Sequence, residues 1–211
     1  MKITFNNIGK RYNYEWIFRK VNYEFTNDYS YVVLGANGSG KSTFIRLVSG
    51  NIMPSEGSIE YVVKAMDAKD KEVNGENIFE YLSFASPYLE LPEELTLKES
   101  IRFHEKFKNF FPSLTTENIM LLAELEKSRN KQLKYFSSGM KQRVKLALAI
   151  LSQTPLLLLD EPASNLDKKG IAWYQQLIKQ YSENRLIIIC SNQQQHEYEF
   201  CSKQLMIEDY K

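Results

Sequence analysis

The sequence predicts an α/β fold: a parallel sheet flanked by helices, with an antiparallel β appendage from the N-terminal third and a helical insert from the middle. Three observations lead there. Helical and strand-like segments alternate from residue 140 onward, the first third is rich in β-formers and turn residues, and residues 93–134 switch to helical spacing. The 211 residues are 43% hydrophobic and 25% charged, enough apolar mass to bury a core. We read 1–211 as a single unit, with 1–92 and 135–211 forming the core and β subdomain and 93–134 a helical subdomain.

The elements follow in order. Ile3, Phe5 and Asn7 alternate with Thr4, Asn6 and Ile8, a strand pattern that Gly9-Lys10 is expected to end. Val21, Tyr23 and Phe25 alternate with Asn22, Glu24 and Thr26 in a second strand. Residues 29–34 form an apolar strand, the glycine-rich 35–40 a loop and 41–49 a helix, and strand character returns at 57–65 and 81–85. In the insert, Leu97, Ile101, His104 and Phe107 or Lys108 recur at helical spacing, as do Ile119, Leu122, Ala123 and Leu125. Beyond it we expect helix over 140–151, strand over 156–160, helix over 168–181, strand over 186–191 and a last strand over 203–208.

Composition excludes several functions. Lys and Arg number 27 against 26 Asp and Glu, so no nucleic-acid partner is expected. The apolar runs at 146–151 and 156–159 fall far short of the ~20 residues that cross a bilayer, and the polar N-terminus lacks a secretory pattern. The expected location is cytosolic. Cys190 and Cys201 cannot form a metal cluster by themselves and are expected to be reduced, with Cys190 in the core.

Gly35-Ala36-Asn37-Gly38-Ser39-Gly40-Lys41-Ser42 has two glycines separated by four residues and followed by Lys and Ser. Glycines let several N–H groups converge on phosphate oxygens, and the next helix offers its positive end. Lys41 would meet the β- and γ-phosphates and the Ser42 hydroxyl would ligate Mg²⁺. Gly35, Asn37, Gly38, Ser39, Gly40, Lys41, Ser42 and Thr43 are therefore candidate nucleotide-binding residues. A mere Gly/Ser turn is disfavoured because an apolar strand precedes the loop, as the phosphate-binding mechanism requires.

Leu156-Leu157-Leu158-Leu159-Asp160-Glu161 ends a strand in two acids, where an open α/β sheet binds its ligand. Successive side chains diverge, so the two take different roles. Asp160 suits Mg²⁺, and Glu161 the attacking water as general base or polariser. Small-molecule kinases, GTPases and many ATPases stay open at this point. Phe136-Ser137-Ser138-Gly139-Met140-Lys141-Gln142-Arg143 then places a Ser/Gly turn at the start of a helix with Met140, Val144, Ala147, Leu148 and Leu151 on one apolar face.

With these motifs in this order, the chain resembles the ATP-binding cassette ATPases, the nucleotide-binding subunits of ABC transporters, over essentially its whole length. Their fold is that of the P-loop NTPases. The family signature, Leu-Ser-Gly-Gly-Gln, is matched with Phe136 for Leu, Ser138 for the first Gly and Met140 for Gln. The resemblance implies that Tyr12 stacks on adenine, with Tyr14 a rival, and that Ser164-Asn165-Leu166-Asp167 is the D-loop. It implies ATP and Mg²⁺ as cofactors and a head-to-tail dimer with a second copy or a related ATPase. Ser137, Ser138, Gly139 and Met140 of one chain would then close over the phosphate loop of the other. Integral membrane subunits would hold the chain on the inner face of the membrane and choose the substrate. The short length resembles the compact cassettes of the haem-exporter, or cytochrome c maturation, type. Tyr88, Leu89, Leu91, Phe107, Phe110 and Phe111 are candidates for the surface that meets membrane subunits.

Two positions depart from the family. Ser86 stands where a glutamine is usual and Asn192 where a histidine is usual, while His196 follows four residues on. Ser86 could still reach Mg²⁺ through water, and Asn192 could donate a hydrogen bond but carries no titrating proton. The resemblance thus implies an ATPase with Glu161, Asn192 and Ser86 as catalytic candidates and Ser42, Asp160 and Ser86 at the metal, slowed by the two replacements. The alternative is a nucleotide-gated binding module with weak or no hydrolysis.

Overall fold

The structure is a computed structural model that describes residues 1–64 and 70–211; Ala65, the expected end of one strand, lies outside the described residues. The chain runs β1 (Lys2–Tyr12), β2 (Glu15–Thr26), β3 (Ser30–Leu34), α1 (Lys41–Val48), β4 (Glu56–Lys64), β5 (Asp70–Val73) and β6 (Leu82–Ala85). It continues through α2 (Leu97–Glu105), α3 (Thr116–Leu122), α4 (Ser138–Ile150), β7 (Leu156–Asp160), α5 (Lys168–Tyr181), β8 (Leu186–Ser191), α6 (Gln195–Tyr198) and β9 (Lys203–Met206).

Two sheets result, an antiparallel one ordered β2-β1-β4-β5 and a parallel one ordered β6-β7-β8-β3-β9. The parallel sheet is covered on both faces, so its inner strands β3, β7 and β8 are nearly unbroken apolar runs. Alternate residues divide between two cores. Tyr31, Val33, Leu156, Leu158, Leu186 and Ile188 join Phe44 and Ile45 of α1 and the antiparallel sheet. Val32, Leu34, Leu157, Leu159, Ile187 and Ile189 join α4, α5 and the insert, whose Leu97, Ile101, Ile119, Ala123 and Leu125 are buried there.

The first strand departs from the expected alternation. Asn7 adopts φ 53° and the register with β2 shifts between Phe5 and Ile8, a bulge that turns Ile8 to the buried face beside Ile3 and Phe5. Gly9-Lys10 does not end the strand, which continues through further irregularities to Tyr12. Opposite the bulge, Gly57 has φ 81°, and a Cβ there would lie 2.3 Å from the Asn7 carbonyl oxygen and 2.4 Å from that of Asn6. Alternation alone does not reveal a bulge, since it inserts a residue without changing composition.

Other boundaries move by a few residues. The insert holds two short helices, each opened by a capping box (Thr96 with Glu99, Thr115 with Asn118), plus 3-10 turns. Ser137 caps α4, which starts at Ser138 rather than 140, and the last strand gives way at Ile207 to a 3-10 turn. β5 and α6 are too short and polar to show a periodic pattern.

Candidate active site

Parallel register brings the carboxyl ends of four strands to one edge. Leu34 pairs with Ser191, Asp160 with Cys190 and Ala85 with Leu159, so the segments that follow β3, β6, β7 and β8 converge. These segments carry the phosphate loop, Ser86, Glu161 and Asn192. The convergence follows from the topology, since the ligand site of an open α/β sheet lies beyond its strand ends.

The phosphate loop turns through Gly38 (φ 78°) and Gly40 (φ 109°) into α1. A Cβ at Gly40 would lie 2.4 Å from Ile17 Cγ2, so the position requires glycine for both conformation and space. No side chain caps α1, which leaves its first amides directed at the loop. Lys41, 4% exposed, donates from Nζ to the carbonyls of Gly35 (2.9 Å) and Ala36 (3.0 Å) and lies 4.0 Å from Glu161 Oε1. Ser39 Oγ is buried without a hydrogen-bond partner among the described residues, while Ser42 is exposed and Thr43 half-buried.

Asp160 and Glu161 diverge, as expected of successive residues at a strand end. Glu161 takes φ 43° and donates its N–H to the Cys190 carbonyl at 2.9 Å, turning the chain sharply out of β7. Asp160 lines a pocket of about 350 Å³ with Ser42, Arg46, Phe84 and Ser86. Glu161 lines another, of about 370 Å³, with Asn37, Asn192, His196 and Glu197. Burial pushes the Asp160 carboxyl above its usual range; the Ser42 hydroxyl pulls it back, the charge of Glu161 raises it, and Lys41 and Ser86 lower it.

Asp160 Oδ1 is buried with no hydrogen-bond partner among the described residues. A carboxylate oxygen in a pocket that also holds the Ser42 and Ser86 hydroxyls is the hard-oxygen environment that suits Mg²⁺. The donors present therefore fit the metal.

The signature residues lie apart from these pockets. Ser137, Ser138, Gly139 and Met140 are absent from the lining of both. Ser137 Oγ accepts the Met140 N–H at 3.2 Å, and a Cβ on Gly139 would lie 3.0 Å from the Asn165 carbonyl, so the start of α4 abuts the 164–167 loop. Asp167 caps α5, accepting the Gly170 N–H at 2.7 Å. Tyr12 is exposed at the end of β1, with Lys10 Nζ 5.3 Å from its ring centroid, and Tyr14 projects from the hairpin turn.

Tyr88, Leu89 and Leu91 line a groove of about 840 Å³ together with Lys141 and Lys145, and Phe107 is exposed. Of the expected contact residues, Phe110 leaves the surface, while Phe111 is half-buried. Phe110 is buried and stacks on His104, and Phe111 packs on Tyr181.

Three polar residues that no motif flags also bear on the site. Glu197 accepts the Ala163 N–H, Glu208 accepts the Ala36 N–H at 2.8 Å, and Lys145 donates to the Pro87 carbonyl at 2.6 Å and the Ser86 carbonyl at 3.3 Å. Each makes contacts far away along the chain and lies outside every recognised spacing.

The ABC transporter family profile matches residues 18–164. The chain is 28% identical over 197 residues to the cytochrome c biogenesis ATP-binding export protein CcmA of Agrobacterium fabrum, covering 92% of this chain and 90% of that protein. It is 32% identical over 172 residues to the sulfate/thiosulfate import ATP-binding protein CysA of Synechocystis, covering 80% of this chain and 47% of that one. Among solved structures, an ABC transporter ATP-binding protein from Pyrococcus furiosus superposes with TM-score 0.81 at 18% identity, covering 100% of this chain and 99% of that one. A dimeric ATP-binding cassette holding ADP and phosphate superposes with TM-score 0.78 at 21% identity, covering 97% and 93%. The structural matches establish the P-loop NTPase cassette fold, and the profile establishes descent: this chain belongs to the ABC transporter family as an ATP-binding subunit.

Proposed function

We propose that the chain binds and hydrolyses Mg·ATP in a head-to-tail dimer, and that dimer closure drives transport through separate membrane-spanning subunits. The observation that carries the hydrolytic reading is the division of Asp160 and Glu161 between two pockets, with Lys41 Nζ 4.0 Å from Glu161 Oε1. One acid is then free for the metal and the other for water.

In this reading Tyr12 stacks on adenine, and the amides of the phosphate loop and of the start of α1 hold the phosphate chain. Lys41 exchanges the Gly35 and Ala36 carbonyls for the β- and γ-phosphate oxygens. Asp160, Ser42 and Ser86 would hold Mg²⁺, which would supply neutralisation of phosphate charge. Glu161 orients water and takes its proton as the water oxygen bonds to the γ-phosphorus and the bond to the β,γ-bridging oxygen breaks. Asn192 donates a hydrogen bond to the γ-phosphate, and Ser137 and Gly139 of a second copy complete the site.

Membrane subunits would meet the groove lined by Tyr88, Leu89 and Leu91, placing the chain at the cytoplasmic face. Nearly end-to-end alignment with the Agrobacterium protein supports the compact type. The replacement of histidine by Asn192 favours a second reading, in which ATP clamps a partner without turnover.

Glu161→Gln in Mg·ATP, followed by size-exclusion chromatography, tests the assembly. A trapped dimer is expected, and a monomer under every nucleotide condition overturns the reading. Wild-type phosphate release that requires Mg²⁺ supports hydrolysis. No release beside a trapped dimer selects the clamp instead.

A further inference from the structure

Glu197, on the short helix α6, is 2% exposed yet carries a carboxylate with two charged neighbours of its own sign. One carboxylate oxygen accepts the Ala163 N–H at 2.9 Å, and the other accepts the Ser191 hydroxyl in a short hydrogen bond. Ser191 Oγ in turn accepts the Gln194 N–H at 3.2 Å, which leaves its own proton for Glu197. The Glu197 backbone is also anchored, since its carbonyl accepts the Tyr174 hydroxyl at 2.8 Å.

The two anchors give this carboxylate its meaning. Ala163 lies two residues beyond Glu161, and Ser191 immediately precedes Asn192. The carboxylate therefore ties together the two loops that present Glu161 and Asn192 to one pocket. Glu161 itself is held in a left-handed conformation, strained for a non-glycine residue, so something must oppose its relaxation.

Stability alone does not favour a carboxylate here. Burial and the charges of Glu161 and Asp160 raise its pKa to about 6, against the pull of Ser191 and Ala163. An apolar side chain would avoid that cost.

We infer that Glu197 is a positioning residue for ATP hydrolysis, whose carboxylate fixes the separation of Glu161 and Asn192 across their pocket. The inference rests on the hydrolytic reading proposed above. Glu197 accepts two donors only when ionised. A glutamine, like a protonated carboxyl, accepts from Ala163 but must donate toward Ser191, leaving that buried hydroxyl without its acceptor.

The experiment compares wild type, Glu197→Gln and Glu197→Ala in kcat and KM for Mg·ATP between pH 5.5 and 8.5, with amide exchange over residues 161–167 and 191–195. Glu197→Ala is expected to lower kcat at least tenfold with KM for ATP within twofold, because the phosphate loop is untouched, and to speed exchange in both segments. Glu197→Gln is expected to fall about threefold below wild type at pH 7.5 and to converge with it below pH 6. The ratio of the two rates isolates residue 197. The other groups facing it are common to both proteins: Asp160 and Glu161 from β7 and its loop, Cys190 from β8, Tyr174 from α5, and His196 and Glu199 beside it.

Wild-type kcat in Glu197→Ala, or a wild-type to Glu197→Gln ratio independent of pH, overturns the inference; the second readout survives even if the alanine variant fails to fold. Unchanged exchange in both segments overturns the tie between the loops whether or not ATP is hydrolysed. Absence of Mg²⁺-dependent phosphate release by wild type overturns the hydrolytic reading itself.

Discussion

Replacing Glu197 by glutamine should stabilise the protein, and by an amount that depends on pH. In the folded chain the carboxyl titrates at about 6, against 4.5 for the unperturbed group. The fold thus binds this proton more tightly than the unfolded chain, and ionisation weighs against folding. Below pH 4.5 both states are protonated and there is no penalty. It grows between 4.5 and 6 and is complete above 6. A difference of about 1.5 units corresponds to roughly 2 kcal/mol. Glutamine carries none of it. The lost Ser191 acceptor is common to glutamine and protonated glutamate, so it cancels in the pH-dependent part of the comparison.

The assay is urea unfolding of both proteins at pH 4.5, 6.0 and 7.5, followed by tryptophan fluorescence. Trp16 on β2 and Trp173 on α5 report from different elements, so coincident transitions check two-state behaviour. Stability of Glu197→Gln relative to wild type should rise by roughly 2 kcal/mol from the lowest pH to the highest, equivalent to ~4–8 °C in Tm for a chain this size. A relative stability that is constant with pH, or that falls as pH rises, would refute the reasoning. Greater stability with slower turnover at pH 7.5 is what a side chain retained for function produces.

Three further outcomes follow from the structure. Gly57→Ala places a Cβ against the Asn6 and Asn7 carbonyls at a positive φ, so it should cost at least about 2 kcal/mol by thermal unfolding. Lys145→Met keeps the aliphatic stem but removes the donor to the Ser86 and Pro87 carbonyls; amide exchange over residues 86–91 should rise and stability should fall by about 1–3 kcal/mol in urea. Arg185, 3% exposed, donates to the Ile150 carbonyl at 2.8 Å, Ser83 Oγ at 3.0 Å and Thr154 Oγ1 at 2.7 Å; Arg185→Met should destabilise by about 2–4 kcal/mol in the same assay, with ATP affinity unchanged because the contacts lie at the opposite sheet edge.

Much of the fold was legible because it is written in local patterns. The continuous apolar runs of β3, β7 and β8 announce strands buried on both faces, and their alternation with helical segments announces parallel pairing. The phosphate loop is legible because closely spaced glycines perform backbone geometry that other residues cannot, as the φ of 109° at Gly40 illustrates. The bulge at Asn7 was not legible, because apolar alternation in one strand contains no information about the register of its neighbour.

The same distinction explains which parts of the candidate site escaped a motif-based reading. Lys41, Asp160 and Glu161 belong to contiguous segments whose spacing reports their chemistry. Glu197 reaches a partner 34 residues away, Lys145 one 58 away and Glu208 one 172 away. Each of the three bonds a backbone group of a loop, where any residue type can stand at the other end, so no pairwise pattern arises; Glu197 adds a side-chain partner, the Ser191 hydroxyl. They also tether the loops that carry the candidate site residues. Lys145 holds the segment with Ser86, Glu208 holds the phosphate loop at Ala36, and Glu197 spans the loops of Glu161 and Asn192. The family resemblance leads one to expect glutamine at position 86 and histidine at 192, and on that reading placement of the loops matters more for the proposed reaction, since phosphoryl transfer depends chiefly on positioning and charge. Transplanting glutamine and histidine into positions 86 and 192 should therefore raise turnover less in a Glu197→Ala background than in wild type, a coupling that a double-mutant cycle on kcat would read directly. Additive effects would mean that the loops hold their places without Glu197.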